Sequence, residues 1–62
     1  MRLKITDKED LFVVSVYPIS SDSLVDQNIV KPPLNYDKKK NAVKNMLDRH
    51  SDVVIIIYNE ES

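Results

Sequence analysis

Residues 53–58 read Val-Val-Ile-Ile-Ile-Tyr, apolar at every position. A strand with one wet face alternates apolar and polar residues, so an unbroken β-branched run predicts a strand covered on both sides. Two covering layers are hard to supply in a chain of 62 residues. A domain of this size has one core and buries only about 60% of the surface it exposes when unfolded. The chain is therefore expected to form a single small domain over residues 1–62, with its stability completed by a staple, a metal or another chain.

The usual staples are missing. There is no Cys, which removes disulfides, thiolate nucleophiles, iron–sulfur clusters and Cys-based zinc sites together. A reducing compartment suits such a chain. The run at 53–58 is far shorter than the roughly twenty residues of a membrane span. Residues 1–6 alternate charge with aliphatic side chains, unlike the apolar centre of a secretory signal. These features predict a cytoplasmic protein with no membrane partner, and leave self-association as a homodimer as the remaining source of stability.

Glycine is also absent. Turns that need positive φ would have to use Asn or Asp. Loops that cradle phosphate need glycine for close backbone approach, so nucleotide hydrolysis and dinucleotide chemistry are excluded.

Leu3 and Ile5 alternate with Arg2, Lys4 and Thr6, which predicts a first strand at residues 2–6. A polar break at 7–10 has the length of a hairpin loop, and residues 11–17 are rich in β-branched and aromatic side chains. They predict a second strand antiparallel to the first, loosening at Pro18. Residues 20–34 fit a loop, a helical turn or an edge strand, up to Pro32 and Pro33, which no helix crosses. Beyond them, Tyr36, Ala42, Val43, Met46 and Leu47 share one side of a 3.6-residue period. This predicts a helix at 36–50 with Asn35 as N-cap, Asp37 in its first turn, and Arg49 and His50 in its last. A third strand at 53–58 and a solvated tail at 59–62 complete an α+β fold of ββαβ order, with three or four strands and the helix on one sheet face. The expected strand order is 2-1-3, with the third strand parallel to the second.

The third strand and both sides of the second, Phe12, Val14 and Val16 against Leu11, Val13 and Tyr17, carry more apolar surface than one helix covers. Phe12, Val14, Val16, Tyr17 and Tyr58 are accordingly the candidate interface residues.

Net charge is −1, but residues 31–50 hold six Lys or Arg against two Asp. Lys38, Lys40, Lys44 and Arg49 lie on the polar side of the predicted helix, placed to meet an acidic partner or nucleic-acid phosphates. Lys39 points toward the apolar side, where its stem can pack. Aromatic side chains for base stacking are not interleaved with these lysines. His50 is the single histidine, and its neighbours Ser51 and Asp52 do not face it, so no triad is indicated. Asp7, Glu9 and Asp10 lack the spacing and the glycine of a calcium loop. No catalytic or metal-binding residue is assigned, and no cofactor or small-molecule substrate is expected. The heavy use of Lys, Asn, Ile and Asp suits an A+T-rich genome such as that of a phage. The predicted function is non-enzymatic: a small regulatory protein that binds another protein, with DNA or RNA binding through the basic helix side as the alternative.

Overall fold

A computed structural model describes residues 1–61, with the elements β1 (Arg2–Asp7), β2 (Phe12–Tyr17), β3 (Asp26–Val30), α1 (Tyr36–Arg49) and β4 (Ile55–Glu60). The four strands form one mixed sheet in the order β3-β2-β1-β4. β1 pairs antiparallel with β2, Leu3 opposite Val16 and Ile5 opposite Val14. β2 pairs antiparallel with β3, and β1 pairs parallel with β4. The fold is the expected small α+β domain with one helix, and the unassigned stretch at 20–34 supplies the fourth strand.

The pleat sorts the side chains. Leu3 and Ile5 of β1 face the same way as Phe12, Val14 and Val16 of β2, and all five are buried together with Ala42 and Met46 of α1. Val30, Leu34, Val43 and Leu47 close the margins of this core. α1 begins where the sequence places it. Asn35 is extended, at φ −144° and ψ 170°, and its side-chain oxygen accepts from the Lys38 N–H at 2.8 Å. His50 caps the other end, its backbone N–H donating to the Met46 carbonyl at 3.0 Å. Replacing Asn35 with alanine strands an N-terminal N–H and is expected to cost about 1 kcal/mol, read as a lower urea midpoint at unchanged slope.

The strand after the helix departs from expectation. It starts at Ile55 and runs to Glu60, so two residues assigned to a tail belong to the sheet; Ser62 lies outside the described residues. It lies beside β1, as expected, but parallel to β1 and antiparallel to β2. The reason is β3. The chain enters α1 from β3, which already runs antiparallel to β2, so the parallel crossover joins β3 to β4 at opposite edges of the sheet. β4 is also not innermost: every one of its residues is exposed, Ile55 to 45%, Ile56 to 55% and Tyr58 to 54%. The expectation of a strand covered on both sides is therefore not met within this chain: a continuous apolar run reports composition, and an edge position with one helix over the sheet leaves it open to water.

The turns use no positive φ at any described residue, so the chain does without glycine and without Asn or Asp in the left-handed region.

Candidate interaction groove

One helix does not span this sheet. Four strands at about 4.8 Å spacing make a surface roughly 19 Å wide, whereas a helix with its side chains is about 10 Å across. α1 packs against β2 and β3. Beside α1, where Ile5 and Asp7 at the end of β1 meet Tyr58 of β4, a groove of about 690 Å³ is left, within the range of about 300 to 1,000 Å³ typical of ligand sites. Its floor is Ile5, the edge of Phe12, and Tyr58; Val43, Leu47 and Tyr36 form the helix wall. Lys39, Lys40, Lys44 and Asp48 line the helix rim, and Asp7 closes one end.

Asp7 ties the groove together. The Tyr58 hydroxyl donates to its Oδ2, and Lys39 Nζ lies 2.9 Å from its Oδ1. Lys39 also sits 5.6 Å from the centre of the Phe12 ring, its stem packed inward as the sequence suggested. The bond from Tyr58, followed by that from Lys39, holds the Asp7 carboxyl below its ordinary value of 3.8. The same bond pushes the Tyr58 phenol up to about 12.

A second node fastens the end of the helix. His50 Nε2 lies 2.9 Å and Arg49 Nη2 3.2 Å from Asp26 Oδ2 on β3. The hydrogen bond with His50, then that from Arg49, holds the Asp26 carboxyl below 3.8. A depressed carboxyl stabilises the fold above its unfolded value and stops doing so as pH falls through its folded value. Asp7 and Asp26 thus both weaken the fold below about pH 4. On the opposite sheet face, Arg2 donates to the carbonyls of Pro18 and Ser21 and to Asp22, and its guanidinium lies 5.1 Å from the Tyr17 ring centre. Arg2 thereby fixes the connection from β2 to β3.

The basic residues singled out in the sequence separate into two groups. Lys40 and Lys44 line the groove, with no ion pair among the described residues. Lys38 donates to the Pro33 carbonyl at 2.8 Å, and Arg49 is bound to Asp26. The candidate interface residues separate too. Phe12, Val14 and Val16 are 3%, 0% and 0% exposed, so they belong to the chain's own core and have almost no surface to offer. Tyr17 is half-buried beside Arg2, and Tyr58 borders the groove. Tyr36, placed on the buried side of the helix by its period, is 76% exposed because the first turn of α1 extends past the core. Val43 and Leu47 were legible as apolar-side residues; their role as a groove wall depends on where the helix lies.

Among the described residues no three His, Cys, Asp or Glu side chains gather as a metal site, and no helix is long and apolar enough to cross a membrane. The sequence matches no protein-family model, and neither a curated protein nor a solved structure shows significant similarity to it.

Proposed function

We propose that this chain is a non-enzymatic interaction protein that docks another protein in the groove beside α1. The supporting observation is the groove between α1 and β4, with an apolar floor and, on its rim, Lys40 and Lys44, which have no ion pair among the described residues. The partner that suits it is an amphipathic helix with an apolar stripe for the floor and acidic side chains for the lysines. A helix there would complete a two-helix layer over four strands.

Nucleic acid is the weaker reading. With Arg49 held by Asp26 and Lys38 turned to Pro33, Lys40 and Lys44 are the lysines left facing outward on the groove side.

Capture from host lysate, with bound protein and bound nucleic acid both quantified, tests this. The expected result is a protein retained by the wild type, insensitive to nuclease, and depleted at least about tenfold when Lys40 and Lys44 are both replaced by Glu. Nuclease-released material lost with the same substitutions would transfer the function to nucleic acid instead.

A further inference from the structure

The sheet has two free edges, built differently. On the β3 edge, Asp26, Gln27 and Asn28 are polar, Asp26 is tied to the helix by Arg49 and His50, and Pro32 and Pro33 follow closely. Polar side chains, charges and prolines are the ordinary means by which an edge is kept from pairing with another chain. β4 carries none of them across its first four residues. Ile55, Ile56, Ile57 and Tyr58 are each at least 38% exposed, and β1 satisfies the backbone of β4 on one side only. A strand left in this state is a template for another strand.

We propose that the strand it takes is β4 of a second copy, paired antiparallel about a two-fold axis perpendicular to the sheet and centred on Ile57. The axis keeps the two helix-side faces together, so Ile56 of each copy lies opposite Tyr58 of the other, and the two Ile57 side chains meet on the far face. Aromatic and β-branched cross-strand pairs stabilise a sheet, and like charges directly opposite destabilise it. Charge therefore selects both direction and register. A parallel pairing would set Glu60 and Glu61 beside their own counterparts. Antiparallel pairing centred on Ile56 would set Glu60 opposite Asp52. Centred on Ile57, Glu60 lies opposite Val54, and no acidic residue of the strand faces another.

The area is small. Edge-to-edge pairing covers only the partner-facing part of Val54, Ile55, Ile56, Ile57 and Tyr58, so the interface falls below the roughly 1,000 Å² of a stable complex and into the weak class. A micromolar dimer is the expected outcome. Its sheet has eight strands, with both helices on one face and the two grooves adjoining across the axis. The proposal rests on reading the chain as an interaction protein, but it uses the β4 edge and leaves Lys40 and Lys44 free.

Sedimentation velocity across the micromolar range, combined with cysteine cross-linking, tests it. The chain has no cysteine of its own, so an introduced one reports a single position. The wild type should form dimers. Ile57→Lys, at a position outside the core, should keep its circular dichroism spectrum while its association weakens at least about tenfold. Ile57→Cys should oxidise to a covalent dimer much faster than Ile29→Cys on the guarded β3 edge. A wild type that stays monomeric throughout overturns the proposal. So does a folded Ile57→Lys that dimerises as before, or equal cross-linking at positions 29 and 57. The pair Lys40→Glu and Lys44→Glu separates the two readings: it should abolish partner capture and leave the dimer intact.

Discussion

Replacing Met46 with alanine is expected to remove about 2 to 5 kcal/mol of folding stability, a large part of the whole. Met46 is fully buried at the contact between α1 and the sheet, among Leu3, Val14 and Val16, which are equally inaccessible. Truncating it removes the transfer free energy of its side chain and leaves a cavity that strands fixed by ladder hydrogen bonds cannot collapse to fill. A chain of this length has only roughly 3 to 9 kcal/mol of stability in all, at 0.05 to 0.15 per residue. The loss is therefore on the order of half the margin. Urea unfolding followed by circular dichroism measures it. The informative control is Ile56→Ala, at a concentration well below that at which sedimentation shows self-association. Exposed on β4, it should cost less than about 1 kcal/mol. Equal losses at Ile56 and Met46 would mean that β4 is covered and that the edge described here does not exist.

The second large effect is in the titration of Tyr58. Its hydroxyl donates to Asp7, and ionising it would place a phenolate against a carboxylate; this pushes its pKa up to about 12 from an ordinary 10.0. Subtracting the absorbance titration of Tyr58→Phe from that of the wild type isolates this phenol, whose midpoint should lie near 12. Asp7→Asn, which removes the charge, should bring the midpoint back toward 10.0. The signs of the stability changes follow from linkage. A raised phenol pKa gives stability that is complete below pH 10.0 and is lost as pH rises toward about 12. The depressed Asp7 pKa gives stability that is present above 3.8 and is lost as pH falls through its folded value. The node thus adds to the β1–β4 ladder across the neutral range and stops contributing at both extremes. A Tyr58 midpoint unmoved by Asp7→Asn would show that the two side chains do not meet in solution.

Much of the chain was legible because its signals are local. The period of Leu3 and Ile5, the β-branched content of β2 and the cap at Asn35 are properties of neighbouring residues, and each element formed within a residue or two of its expected bounds. β3 was the exception. Asp-Gln-Asn-Ile-Val carries little strand preference of its own; it is drawn into the sheet by pairing with β2 and by the bond from Asp26 to the end of α1. With β3 unassigned, the direction of β4 relative to β2 came out reversed. The candidate site was legible only in its parts. Lys40, Lys44 and Tyr58 were picked out, but Asp7 and Lys39 meet across 32 residues of sequence and Asp7 and Tyr58 across 51, separations at which no periodicity reports contact.

The sequence by itself determined which residues are apolar and with what period, and hence a helix and strands with apolar sides, because backbone geometry is set residue by residue. Which of those apolar sides this chain covers was decided only by the tertiary structure. β1 already had β2 on one side, so β4 could join only on the other. A helix about 10 Å wide, seated over β2 and β3, then left the most apolar segment of the chain at the rim.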